Sequence, residues 1–252
     1  LHLPSVLKNY RDLAETAAAN NWSFEQYLHA LAEVETADRA LRRTSRLLKQ
    51  SKLPDGKTLD TLKMHILPQK VQRTVPTLLD GGFVERAENI LAFGLPGRGK
   101  THLVAAIARE LIVRHNYRVM FTTTFSLVQK LLAAKSELRI EDLLKKLDRY
   151  DVVVLDDIGY VQQSREEMEI LFTFLSERYE RRSLMITSNL KFSEWDQIFK
   201  NPMTTAAAID RLVHHATVLE LNGESYRANQ AIENRKPAAT PADKHIQQAQ
   251  EG

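Results

Sequence analysis

The rhythm of apolar positions changes character near Asn89. Upstream, apolar residues recur at helical spacing. Ser23 followed by Gln26 reads as a capping box, and Phe24, Tyr27, Leu28 and Leu31 continue one apolar face. The same helix is expected to run on past Arg39. Asp55-Gly56 and the prolines Pro54, Pro68 and Pro76 then break the pattern, predicting a linker with short helical pieces before Gly81-Gly82. Downstream, short apolar or β-branched runs predict strands: Ile90 to Phe93, Arg118 to Thr122, Val152 to Leu155, Leu184 to Thr187 and Thr217 to Leu221. Amphipathic stretches of helix length separate them, among them Ser164 to Arg181, which opens with a second capping box. Strands alternating with helices predict an α/β fold with a parallel sheet flanked by helices. The division expected is a small all-helical unit with linker at 1–75, an α/β domain at 76–233 and a disordered Pro/Ala/Gln/Lys-rich tail at 234–252.

Composition narrows the class. With 252 residues, 43% hydrophobic and 27% charged, the chain can bury one α/β core plus a smaller unit. No apolar run reaches the length of a bilayer span, and nothing resembles a signal peptide. The chain opens on Leu1, so a short N-terminal stretch is expected to precede it. The absence of cysteine excludes disulfides and thiolate metal sites and fits a reducing cytoplasm. Eight histidines show no H-E-x-x-H or similar spacing. His214-His215 would diverge on a helix, and a structural or solvent-facing role is expected of them.

The net charge of +3 is unevenly spread. Residues 1–38 hold two basic and six acidic side chains, whereas 39–73 hold ten basic and two acidic. On a helix, Arg39, Arg42, Arg43, Arg46 and Lys49 fall within an arc of roughly 120°, a single face suited to a polyanion. Neutralising about five phosphates with it predicts a slope of log affinity against log salt of around −4 to −5 on duplex DNA.

Gly94-Leu95-Pro96-Gly97-Arg98-Gly99-Lys100-Thr101 spells G-x-x-x-x-G-K-T after a strand and before the helical spacing of Leu103, Ala106, Ile107 and Leu111. A Gly-rich turn lets several backbone N–H groups wrap a triphosphate, and the helix N-terminus adds its dipole. Lys100 reaches the β/γ-phosphates, and the Thr101 hydroxyl is a Mg²⁺ ligand. His102 follows directly and belongs to the same nucleotide-contacting set. Val152-Val153-Val154-Leu155-Asp156-Asp157 carries two carboxylates to the end of a buried strand, where open α/β sheets bind ligands. Asp156 is expected to hold Mg²⁺ and Asp157 to orient or deprotonate the attacking water. Leu184 to Asn189 is a further apolar strand, from whose end Asn189 can hydrogen-bond the γ-phosphate or the water. No guanine-selective N-K-x-D run is present, which favours ATP.

Together with Asp210-Arg211-Leu212, these motifs resemble those of the AAA+ P-loop ATPases. More closely they resemble the IstB-like insertion-sequence transposition helpers, which are similar to DnaC-type helicase loaders. The likeness extends over most of residues 3–232, including Leu3-Pro4, Ser23-Phe24-Glu25, Leu53-Pro54, Gly99 to Leu103 and Ser225-Tyr226-Arg227. It implies that Asn189 is a sensor, that Arg211 is an arginine finger serving a neighbouring subunit, and that Arg227 is a second nucleotide-sensing arginine. It also implies a homo-oligomer with shared ATP sites that assembles on double-stranded DNA, deforms it and presents it to a transposase, with residues 1–75 binding DNA or mediating assembly. Pro96 and Arg98 depart from the smaller residues common in the family's loop, and Asp157 stands where many AAA+ proteins have Glu. A replicative helicase loader on single-stranded DNA, a small-molecule kinase and a regulator with a vestigial site are the competing readings.

Overall fold

The computed structural model describes residues 2–159, 164–195 and 202–222. The expected tail at 234–252 and Arg227 lie outside the described residues. Two helices, α1 (Pro4–Ala19) and α2 (Phe24–Ser51), pack against each other at the N-terminal end. The capping box at Ser23 forms: its hydroxyl accepts from Gln26 N–H at 3.3 Å, and the Gln26 side chain accepts from Ser23 N–H at 2.7 Å. α1 has no side-chain cap of its own. Glu35 on α2 supplies one across the helix pair, accepting from Ser5 N–H at 2.9 Å and Val6 N–H at 3.3 Å.

α2 runs unbroken until Lys52 turns left-handed at φ +57°. A 3₁₀ turn at Met64–Ile66 follows, then α3 (Gln69–Leu79) and the short α4 (Gly82–Glu85). Pro68 caps α3, but Pro76 lies inside it, where the sequence predicted a break. An internal proline costs about 3 kcal/mol. Burial of Val71, Val75 and Leu78 on one face of the same helix offsets that cost, at about 1.5–3 kcal/mol for each large apolar side chain.

The α/β part contains β1 (Asn89–Phe93), α5 (Lys100–His115), β2 (Val119–Thr123), α6 (Thr124–Ser136), α7 (Ile140–Leu147) and β3 (Val152–Asp156). α8 (Arg165–Arg178), β4 (Ser183–Ser188), a 3₁₀ turn at Phe192–Glu194, α9 (Pro202–Val213) and β5 (Ala216–Glu220) complete the described elements. All strand pairings are parallel, in the order β2-β3-β4-β1-β5. Residues alternate between faces along each strand. Ile90, Ala92, Val152, Val154 and Met185 pack with Leu103, Ile107 and Leu111 of α5. Leu47 of α2 and Leu62, Leu67 and Val71 beyond it belong to that same apolar core. Leu91, Val153, Leu155, Leu184 and Ile186 pack on the other face against α6, α8 and α9. Parallel packing brings the ends of β1, β3 and β4 to one edge, with Phe93 opposite Ser188 and Leu155 opposite Ile186.

The opposite edge is closed by Arg178, a buried cation that donates to the carbonyls of Leu147, Tyr150 and Ser183 at 3.0–3.1 Å. Burial pushes its pKa down to about 10. No described helix is long and apolar enough to cross a membrane.

Candidate functional site

The loop after β1 turns back over the end of β5. Gly94 sits at φ +152°, and a Cβ there would lie 2.6 Å from the Leu221 carbonyl oxygen, so only glycine fits. Gly97 and Gly99 take left-handed φ of +81° and +85°, which opens the loop and starts α5 at Lys100. Lys100 is buried at the mouth of the loop. Its ammonium donates to Gly94 O at 2.6 Å, Leu95 O at 3.0 Å and Asn189 Oδ1 at 2.6 Å.

The acids meet this loop as their spacing predicted. Thr101 Oγ1 donates to Asp156 Oδ1 at 2.9 Å, and Asn189 Nδ2 donates to Asp157 Oδ1 at 3.0 Å. Lys100, Asn189 and Asp157 thus form one chain of contacts beside the Thr101–Asp156 pair. Asp157 adopts φ +61°, a left-handed conformation that Asp tolerates better than Glu because its short side chain can bond locally. Burial, and then the neighbouring Asp156 carboxylate, push the Asp157 pKa up, with Lys100 opposing.

Thr187 belongs to the Thr187-Ser188-Asn189 stretch that shares in the family resemblance, but the sequence assigns it no role. Its hydroxyl donates to Asp156 Oδ1 at 2.6 Å and accepts from Asp157 N–H at 2.8 Å, so one side chain holds both acids. Its signal was a β-branched polar residue at the end of an apolar strand paired with the strand that carries the acids.

These groups face a cleft of about 470 Å³. Besides the glycine loop, the acids, Thr187 and Asn189, its walls include Lys57, Leu62, Lys63 and Ile66 from the linker. Leu95, Pro96, Gly97, Arg98 and Gly99 form the loop itself, and Pro96 to Gly99 line the cleft. His102 also lines it, but its ring binds the linker, with Nε2 3.1 Å from Thr61 Oγ1 and 3.1 Å from Thr58 O. Burial lowers the His102 pKa, with Lys57 adding to the effect. The donors nearest a cation position, the Thr101 hydroxyl and the Asp156 carboxylate, are hard oxygens that suit Mg²⁺.

Arg211, on α9, stays out of this cleft. Its guanidinium carbon sits 4.8 Å from the centre of the Phe172 ring, and its buried Nη1 has no hydrogen-bond partner among the described residues.

The five basic residues of α2 are all exposed, yet they are not equivalent. Arg39 Nε lies 2.7 Å and Arg42 Nη2 3.4 Å from Glu35 Oε1. Arg43, Arg46 and Lys49 make no ion pair among the described residues. Burial pushes the Glu35 carboxyl up, but Arg39 and the Ser5 and Val6 amides outweigh it and hold the pKa below its ordinary value.

Comparison with known proteins gives the family. The family model described as "IstB-like ATP binding protein" matches residues 1–234. An insertion sequence ATP-binding protein of Sinorhizobium fredii is 44% identical, covering 96% of this chain and 81% of that protein. The IS5376 ATP-binding protein of Geobacillus stearothermophilus is 37% identical, covering 90% of each. Among solved structures, domain III of the Thermotoga maritima replication initiation protein DnaA superposes with a TM-score of 0.55 at 16% identity. That superposition covers 72% of this chain and 73% of that one, and it supports the AAA+ fold.

Proposed function

The chain belongs to the IstB-like ATP-binding protein family, and from that premise we propose that it is the ATP-hydrolysing helper of an insertion sequence, a cytoplasmic switch that assembles on duplex DNA and presents it to a transposase. The observation that carries the reading is the convergence of Lys100, Thr101, Asp156, Asp157 and Asn189 on one cleft through direct hydrogen bonds. Lys100 and the loop amides cradle the triphosphate, Asn189 and Asp157 orient the attacking water, and Asp157 accepts its proton. Thr101 and Asp156 would hold Mg²⁺, which would supply positive charge to the phosphates. Thr187 keeps the two acids in register.

Arg211 acts on the nucleotide of a neighbouring copy. Its absence from the lining of its own cleft supports that role, because a finger supplied in trans does not act on its own subunit's nucleotide. Arg227 serves as a second nucleotide-sensing arginine. Residues 1–75 supply the DNA-binding and assembly surface and 76–233 the body of the ATPase domain, although the boundary drawn from the sequence cuts α3 and the stretch from Lys57 to Val75 packs into the ATPase core and cleft. Arg39, Arg42, Arg43, Arg46 and Lys49 contact DNA phosphates without reading sequence. The insertion-sequence names of the relatives favour a transposase over a replicative helicase as partner.

The test is specific ATPase activity against protein concentration, with and without duplex DNA. A shared site gives activity that rises with concentration and with DNA. Activity independent of both rules out the shared site.

A further inference from the structure

The pair His214-His215 reads from sequence as two rings diverging on a helix. α9 ends at Val213, so both histidines fall instead in the turn before β5, and their ring centres lie only 4.1 Å apart. A third group meets them from a different element. Glu180, just beyond α8, takes a left-handed φ of +56°. Its Oε1 lies 4.0 Å from His214 Nδ1 and 4.0 Å from His215 Nε2. One ligating atom from each of the three residues falls within 4.8 Å of the others.

We infer that Glu180, His214 and His215 form a transition-metal site that takes Zn²⁺. Two imidazoles and a carboxylate match the donor set of open zinc sites, which carry water in the fourth position. The nitrogen donors disfavour Mg²⁺ and Ca²⁺, which take oxygen ligands. Tetrahedral coordination at about 2.0–2.1 Å places ligand atoms about 3.3 Å apart. The three groups must therefore close by roughly an ångström, which exposed side chains achieve by small torsional changes. The Tyr179 hydroxyl, 3.0 Å from His214 Nδ1, makes a hydrogen bond that the metal would replace.

The cluster adjoins the starts of β4 and β5, whereas the glycine loop and twin acids occupy the opposite edge of the sheet, so this site is distinct from the Mg²⁺ position. Occupancy would tie the chain after α8 to the end of α9, the helix that carries Arg211. The inference rests on this geometry alone and stands apart from the proposed ATPase function.

The experiment uses the full chain, stripped with chelator and titrated with Zn²⁺ by calorimetry in excess Mg²⁺, which saturates the oxygen-lined site. Co²⁺ absorption spectra report coordination in parallel. The expected result is one Zn²⁺ per chain and a four-coordinate Co²⁺ spectrum. His214→Ala and Glu180→Gln each weaken binding at least about tenfold, and the double variant H214A/H215A abolishes it. Asp156→Asn leaves it unchanged. Circular dichroism checks that these exposed substitutions keep the fold. An absence of saturable uptake, or uptake that survives in the double variant or disappears only with Asp156→Asn, overturns the site.

Discussion

Replacing Arg43, Arg46 and Lys49 together by glutamine separates a DNA-binding face from a merely solvated one. The five cations of α2 carry five charges, but Arg39 and Arg42 share the Glu35 carboxylate, leaving a net four. At about −0.9 per neutralised phosphate, the slope of log affinity against log salt on duplex DNA should be about −3.6, shallower than the −4 to −5 obtained by counting cations alone. The triple variant retains one net charge, so its slope should fall to about −0.9. The loss in affinity at 0.15 M salt should be on the order of 10²-fold. Arg43, Arg46 and Lys49 are exposed and unpaired among the described residues, so their removal leaves the α1–α2 packing intact. Substituting Arg39 or Arg42 would instead disturb the Glu35 cap on α1 and confuse folding with binding. The assay is fluorescence anisotropy of a labelled duplex from low to moderate salt, with a thermal melt as folding control. An unchanged slope and affinity in a folded triple variant refutes the assignment.

Substitutions at Thr187, Asp157 and Glu35 have outcomes set by the geometry. Thr187→Val keeps shape but leaves the Asp157 amide and the Asp156 carboxylate each short of a partner, so urea denaturation should show a loss of about 1–3 kcal/mol and the ATPase rate should fall. Asp157→Asn retains the left-handed backbone and should bind ATP normally in calorimetry while hydrolysis is lost. Asp157→Glu should not rescue rate, and should destabilise by about 1 kcal/mol, because a longer side chain is poorly suited to φ +61°. Glu35 has a folded pKa below its ordinary 4.5, so its stabilising effect is fully present above that pH and is lost as pH falls through the folded value. The melting difference between wild type and Glu35→Gln should be largest near neutrality and vanish in acid.

Local signals carried much of this fold. Each strand appeared as a short apolar run, and the caps at Ser23 and Ser164 needed only residues three positions apart. The glycine loop and the acid pair were legible because phosphate binding demands fixed residue types at fixed spacing. What escaped was contact between distant segments. Thr187 meets the acids only once β4 lies beside β3, and Leu62, Lys63 and Ile66 wall the cleft only once the linker folds over α5. Pro76 was read as a breaker because burial of Val71, Val75 and Leu78 is a tertiary effect. Glu35 was within reach, since it lies four residues before Arg39 and on the same helical face, but its second role as the cap of α1 depends on the two helices meeting.

Calorimetric titration of ATP with Mg²⁺ into wild type and Lys100→Ala tests the assembled cleft most directly. Wild type should take up one ATP per chain. The variant should bind about 10²- to 10⁴-fold more weakly, as expected from losing two charge-assisted phosphate contacts of about 1.5–3 kcal/mol each. No uptake by wild type, or equal affinity in both proteins, would contradict a triphosphate held between Lys100 and the Asp156–Asp157 pair.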